Sequence, residues 1–139
     1  KLSLYLFLIF SFLGSYTFTA QNQKLIDSLN REANILAYSN PELAINRGLE
    51  LYEITSNSPS QQVSALLTVA NAYAVLKDHD RVLQYALKAD SIASTHQNYA
   101  DRVKALGFIG NQYQRLKLNT QALNYLDNFS NNQSLVLSK

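Results

Sequence analysis

The 139-residue sequence contains no cysteine, methionine or tryptophan, and it has only four glycines and two prolines. Without cysteine the chain can form no disulfide framework, thiolate zinc site or thiol nucleophile, and it offers no cysteine for lipid attachment. Four scattered glycines also exclude a glycine-rich phosphate loop. Methionine is absent even at the first position, so we expect that residue 1 is not the translated start.

Charge is scarce as well. Charged residues make up 16% of the chain, and 12 basic against 10 acidic side chains give a formal net charge of +2. A domain that binds nucleic acid ordinarily shows a stripe of lysine and arginine, and the sequence has no such stripe. We therefore expect no nucleic-acid partner for this segment and polar faces that are mostly uncharged. The length suits one domain.

The first twenty residues differ in composition from the rest. Lys1 precedes an apolar run over 2–13, and small or polar residues follow as far as Ala20. This three-part pattern predicts a secretory signal peptide over residues 1–20, cleaved after Ala20. The apolar run is shorter than the roughly 20 residues that cross a bilayer. An uncleaved signal anchor is the alternative, and a buried first helix fits less well because the segment is apolar on every side. We expect an exported protein, periplasmic or membrane-associated and extracytoplasmic.

A repeat with a forty-residue period occupies the second half of the chain. Residues 63–85 and 103–125 are identical at nine of 23 positions. The identical pairs are Val63/Val103, Ala65/Ala105, Leu66/Leu106, Asn71/Asn111, Tyr73/Tyr113, Leu76/Leu116, Lys77/Lys117, Leu83/Leu123 and Tyr85/Tyr125. A period of 20–50 residues is typical of stacked repeat architectures.

Apolar residues recur at steps of three and four within each repeat, which indicates amphipathic helices. No segment alternates with a period of two, so we expect no strands. The predicted helices are 22–38, 41–56, 60–76, 79–95, 99–116 and 119–130. The predicted N-caps are Asn40, Ser58, Asp78 and Asn119, with Pro41 and Pro59 in the first turns.

The six helices pair into three predicted hairpins at about 22–56, 60–95 and 99–130, within a repeat domain over 21–130. Residues 131–139 are predicted to be a polar tail. Because a repeat unit must be covered on both faces, and no further amphipathic helix follows residue 130, we expect the chain to continue beyond Lys139. A short, frayed last helix or a dimer contact is the alternative.

These units resemble the tetratricopeptide repeat. The residues that carry the resemblance occupy its repeat-core positions: Leu66, Ala70, Tyr73, Leu106, Gly110, Tyr113 and Ala122. Lys77 and Lys117 stand where that repeat has a turn glycine, and the period is forty rather than thirty-four. The resemblance implies an all-α, right-handed α–α superhelix, a solenoid of about three hairpins whose concave face binds a protein or peptide. The chain is also similar to the exported N-terminal repeat regions of bacterial sensor and regulator proteins.

The resemblance further implies where a partner would bind. The first helix of each unit lines the inner groove, and both intact units carry an asparagine two positions before the motif tyrosine. An amide both donates and accepts, so it suits a peptide backbone. The predicted binding residues are Asn71, Asn111, Lys104, Gln114 and Arg115, with Ser64, Leu67, Ala74 and Gly107 beside them. Hydrogen bonds of the two asparagines between adjacent hairpins are an equally supported alternative.

The sequence offers no set of residues that suggests catalysis, which needs a positioned nucleophile and base, paired carboxylates or metal ligands. The acids fall at helix starts or on outward stripes, and His79 between Asp78 and Asp80 has no second histidine at ligand spacing. We expect no enzyme activity, cofactor or metal. The predicted function is a non-catalytic, exported scaffold for a protein or peptide partner. The alternative is the sensory segment of a membrane-bound histidine kinase or transcriptional regulator, in which only the signal or a missing downstream helix meets the membrane.

Overall fold

A computed structural model describes residues 22–137, and their regular structure is helical throughout. The helices are α1, described over 22–39, α2 Pro41–Ile54, α3 Pro59–Val75, α4 His79–Thr95, α5 Tyr99–Arg115 and α6 Asn119–Leu137. The predicted all-α class is confirmed, and every helix except α6 ends within two residues of its predicted limit.

The predicted signal over residues 1–20 lies outside the described residues. Among the helices of residues 22–137, none has the length and apolar character that a membrane span requires.

Helices α3, α4 and α5 each contain 17 residues, and a three-residue connection follows each of them. The connections have one geometry, because Lys77, Gln97 and Lys117 all have positive φ, at 61°, 52° and 59°. After α3, the N–H of Asp78 donates to the carbonyl of Tyr73, and the N–H of Lys77 donates to that of Ala74. This pair of bonds is the Schellman motif, and it recurs after α4 and α5. The forty-residue repeat is therefore two twenty-residue units, and each turn lysine adopts the left-handed conformation that favours glycine.

Two predicted N-caps are confirmed. The side chain of Asn40 accepts a hydrogen bond from the N–H of Leu43, and that of Asp78 accepts one from the N–H of Arg81. A further cap at Asn98 was not predicted. These side chains satisfy N–H groups that have no partner inside the helix.

Of the other two predicted caps, one is confirmed in position only and one is wrong. Ser58 occupies the cap position of α3, but its side chain makes no capping hydrogen bond. Asn119 is the first residue of α6 rather than its cap. The backbone carbonyl that receives the first helical bond there belongs to Leu118, whose side chain has no hydrogen-bonding atom.

Each helix from α2 to α5 packs against the next one along the chain, and α3 also contacts α5. The second helix of the middle hairpin presents small residues to this core, namely Val82, Ala86, Ala89 and Ala93. Of the predicted repeat-core residues, Tyr113 is half-buried and the other six are buried. At Gly48 of α2, an added Cβ would lie 2.5 Å from Cγ2 of Val69. Glycine therefore permits the close approach of α2 to α3.

The predicted polar tail was wrong over most of its length, because α6 continues through Leu137. Residues 131, 133 and 134 are polar and exposed on this helix. Asparagine, glutamine and serine lower helix stability by only tenths of a kcal/mol each relative to alanine. No glycine or proline interrupts the segment, so polarity alone does not end the helix.

Candidate functional site

Helices α3 and α5, the first helices of the second and third hairpins, border a cleft of about 180 Å³. Its lining residues are Asn71, Ala74, Phe108, Asn111, Gln112 and Arg115. Those from α5 lie three or four positions apart and so share one face of the helix. The structure thus brings together three of the predicted binding residues, Asn71, Asn111 and Arg115. We refer to this site as the α3–α5 cleft.

The two asparagines present unbonded amides to this cleft. Asn111 is exposed and Asn71 is half-buried, and within residues 22–137 neither side chain has a hydrogen-bond partner. The alternative in which the amides bridge adjacent hairpins is therefore not found in the described part of the chain. Each amide retains its donors and its acceptor for an external group.

Phe108 and Arg115 add an apolar surface and a positive charge to the α3–α5 cleft. Phe108 is half-buried, and its side chain packs against two core clusters. Arg115 is exposed in the last turn of α5, and no acid among the described residues pairs with it. The cleft therefore offers an apolar wall, two amides and one cation.

Gln112, which the sequence reasoning missed, lies beneath the cleft. It is 3% exposed, and its Nε2 lies within hydrogen-bond distance of Nδ1 of His79. The contact ties α5 to the first turn of α4 and gives the histidine a partner. The available signal was that Gln112 is polar, whereas the equivalent residue of the preceding repeat is Ala72. Among the described residues, no group of three histidines or acids is arranged to hold a metal ion.

Lys104 and Gln114 do not line the α3–α5 cleft. Lys104 borders a second cleft, and its Nζ lies 2.8 Å from Oδ1 of Asp101. Asp101 is 3% exposed and also accepts a hydrogen bond from Asn98. The lysine charge is therefore neutralised locally. Gln114 is exposed and lines neither cleft.

Two of the accompanying positions lie in the hairpin seam rather than in a groove. Leu67 packs against the cores between α3, α4 and α5. A Cβ on Gly107 would meet the ring of Phe129 at 3.3 Å, so this glycine faces α6. The other two line clefts: Ala74 the α3–α5 cleft, and Ser64 the second one.

The second cleft, of about 210 Å³, lies mainly between α1 and α3. We call it the α1–α3 cleft, and its lining residues are Ile26, Asp27, Asn30, Leu51, Ser60, Gln61, Ser64 and Lys104. Asp27 is exposed, and its Oδ1 accepts a hydrogen bond from Gln23 at 2.9 Å. Its charge is not matched by an ion pair among the described residues.

The motif tyrosines lie in the cores of their hairpins, which agrees with their predicted packing role. Tyr73 stacks on Tyr85 with ring centroids 5.5 Å apart, and Tyr113 stacks on Tyr125 at 5.4 Å. The hydroxyl of Tyr73 accepts a hydrogen bond from Arg81, and this bond raises the pKa of the guanidinium. Burial raises the pKa of the Tyr125 hydroxyl, with smaller contributions from neighbouring groups.

At the sequence level, no protein family and no curated protein matches the chain. At the structural level, the chain is similar to the crystal structure of the TPR (tetratricopeptide repeat) domain of Arabidopsis FLU. The TM-score is 0.72 at 14% sequence identity, and the match covers 82% of this chain and 98% of that one. The likeness agrees with the all-helical hairpins of the described residues. The chain therefore has the tetratricopeptide-repeat fold.

Proposed function

We propose that this domain is a non-catalytic scaffold that binds an extended segment of a protein or peptide in the α3–α5 cleft. The observation that carries the proposal is the pair of unbonded amides, Asn71 and Asn111, at equivalent positions of successive repeats. Amides placed in this way can bond to the N–H and C=O groups of an extended chain without reading its side chains. The fold likeness to a tetratricopeptide-repeat domain supports a protein partner.

The remaining lining residues suit the same ligand. Phe108 and Ala74 offer apolar surface to one side chain of a bound segment, and Arg115 offers a charge-assisted hydrogen bond to another. The proposal includes no catalytic step, because His79 is engaged with Gln112 and the buried carboxylate of Asp101 is engaged with Lys104.

A binding measurement with a matched control tests the proposal. Peptides of about twelve residues, selected from a random displayed library, are titrated into the wild type, N71A/N111A and the control N46A/N124A. Asn46 and Asn124 are exposed amides on α2 and α6 that line neither cleft. Each lost hydrogen bond contributes about 0.5–1.5 kcal/mol, so we expect roughly a tenfold loss of affinity in N71A/N111A and none in the control.

Thermal unfolding separates binding from structure in the same variants. Alanine is a better helix former than asparagine, so N71A/N111A should keep the midpoint of the wild type or exceed it. A lower midpoint with unchanged affinity would assign the amides to the fold and contradict the proposal. Equal losses of affinity in both double variants would do so too.

We also propose export. The support is the composition of residues 1–20, where an apolar run lies between a lysine and a stretch of small residues. Expression of the full chain in a secreting bacterial host, followed by N-terminal sequencing of the exported protein, tests it. The expected first residue is Gln21. Retention of the full chain in the cytoplasm would contradict export.

The role as a sensory segment of a larger regulator is a separate proposal. Its support is the likeness of a signal followed by helical repeats to exported sensor regions. The coding sequence after Lys139 tests it directly. A membrane helix followed by kinase or helix-turn-helix motifs is the expected result, and an immediate stop codon would end the proposal.

A further inference from the structure

The two clefts lie along one track on the first helices of the hairpins. Ser60, Ser64 and Lys104, from the first half of α3 and α5, border the α1–α3 cleft. Asn71 and Arg115, from the second half, border the α3–α5 cleft. At 1.5 Å per residue, Lys104 and Arg115 are separated by about 16 Å along α5. An extended chain covers that distance with about five residues.

The two ends of this track differ in charge. At the α1–α3 cleft the charge of Lys104 is matched by Asp101, which leaves the exposed carboxylate of Asp27. Lys24 and Arg31 on the same helix do not line the cleft. The end near α1 is therefore acidic.

The opposite end is basic. Arg115 has no ion-pair partner among the described residues. It is the one charged side chain among the residues that line the α3–α5 cleft. The acids between α3 and the first turn of α4, Asp78 and Asp80, do not line this cleft.

From this charge separation we infer that the bound segment is dipolar, with a basic side chain over the α1–α3 cleft and an acidic side chain at Arg115. The inference rests on the proposed function and names the class of its ligand. A segment with acids at both ends would bring one of them to Asp27, and a segment with two bases would bring one of them to Arg115. Complementary charge gives specificity at such a surface more than it gives affinity.

Four peptide libraries test the inference. Each contains capped peptides of about twelve residues with a random interior and two defined residues five positions apart, which places them about 17 Å apart in an extended chain. The defined pairs are Lys and Glu in both orders, Glu and Glu, Lys and Lys, and Gln and Gln. The Lys and Glu library should bind best, by about threefold over Gln and Gln, because solvent screens exposed ion pairs and each contributes little. The preference should decrease at high salt.

Charge reversal identifies the two ends. R115E should shift the preference to Lys and Lys, and D27K should shift it to Glu and Glu. The control variants are R31E and E53K, which reverse exposed charges that line neither cleft. They should leave the preference unchanged. Far-ultraviolet circular dichroism checks that every variant remains helical.

The outcomes separate the two proposals. If none of the four libraries yields a binder that competes at the α3–α5 cleft, the proposed function fails. If all four bind equally and depend on Asn71 and Asn111, peptide binding stands and the dipolar ligand is wrong. A preference of the wild type for Glu and Glu would overturn the inference in favour of an acidic ligand.

Discussion

The hairpins α3–α4 and α5–α6 fill the contacts between their two helices with side chains of different size. In α3–α4, Leu67 on the first helix packs with a cluster that includes Ala89 on the second. In α5–α6 the corresponding residues are Gly107 and Phe129, and the phenylalanine ring covers the glycine. The larger side chain therefore lies on the first helix in α3–α4 and on the second helix in α5–α6.

A related change occurs one turn further along. Ala70 and Ala86 share a core cluster in α3–α4. In α5–α6 the corresponding pair is Gly110 and Leu126, where a Cβ on the glycine would meet Cδ2 of the leucine at 3.0 Å. Packing density in a protein core tolerates exchanges that keep the total volume. The pair Gly107 and Phe129 follows this rule. Gly110 and Leu126 together have more volume than Ala70 and Ala86, so the glycine makes room for only part of the leucine.

The hairpins differ in how the first turn of the second helix is held. In α3–α4 the cap Asp78 accepts from the backbone of Arg81, whose guanidinium reaches the hydroxyl of Tyr73. The same guanidinium lies 5.1 Å from the centre of that tyrosine ring. In α5–α6 the corresponding residues are Leu118 and Gln121. We therefore expect the middle hairpin to be the more stable of the two.

The largest expected effect comes from enlarging a side chain on the second helix of α3–α4 without a smaller partner on the first helix. A86L alone overfills the seam of α3–α4 and should lower the free energy of unfolding by about 1–3 kcal/mol. The double variant A70G/A86L reproduces the pair found in α5–α6 and should recover part of that loss. Urea denaturation measures both. Additive losses in the double variant would show that the two hairpins do not share a seam geometry.

Exchanging the caps should have the next largest effect. D78L gives the middle hairpin the leucine of the last one and should cost about 1 kcal/mol, because an N–H of α4 loses its acceptor. L118D makes the opposite change and should stabilise the protein by about 0.5–1 kcal/mol. Thermal unfolding of the two variants measures the difference. A destabilising L118D would mean that the side chain of Leu118, which is 41% exposed, contributes packing that outweighs a cap.

Substitution of the turn residues Lys77 and Lys117 by glycine should change the stability by similar amounts, because both lysines adopt the left-handed conformation. K77G and K117G each remove a steric strain and should raise the free energy of unfolding by about 0.5–1 kcal/mol. L76G at the preceding residue, where φ is −74°, is the control and should destabilise. Unequal effects of the two lysine variants in urea denaturation would argue against a shared turn.

The smallest effect concerns pH and distinguishes the last hairpin. Burial of Tyr125, with nearby Tyr113 and Asp90, raises the pKa of its hydroxyl in the folded state. Above about pH 10 the unfolded chain loses this proton first, so the contribution to stability is present at lower pH and decreases as the pH rises. Y125F should remove that part of the alkaline decrease in the free energy of unfolding. If the free energy of unfolding of Y125F decreased at alkaline pH as much as that of the wild type, the assignment of this effect to Tyr125 would be contradicted.

Much of the fold could be predicted from spacing alone. Apolar positions three and four apart located all six helices, and Asn40 and Asp78 were identified as caps because they precede the first apolar turn. The end of α6 could not be predicted, since exposed polar residues are compatible with either a helix or a tail. Ser58 shows that a suitable residue at a cap position does not guarantee the hydrogen bond.

The site was predictable only in part. The resemblance to the tetratricopeptide repeat implied that Asn71, Asn111 and Arg115 border one groove, and the structure places them on one cleft. It could not show that Gly107 faces α6, because one turn of a helix borders both the seam and the cleft. It also missed Gln112, whose role depends on its contact with a residue on another helix.

The central claim is that equivalent asparagines of successive repeats hold one bound segment, and side-chain amide resonances test it most directly. Uniformly ¹⁵N-labelled protein is titrated with the best-binding selected peptide, and the side-chain NH₂ signals of Asn71 and Asn111 are followed beside those of Asn46 and Asn124. We predict that the first pair shifts together, with one binding constant, while the second pair stays unchanged. Shifts confined to Asn46 and Asn124, or movement of only one asparagine of the first pair, would contradict the account.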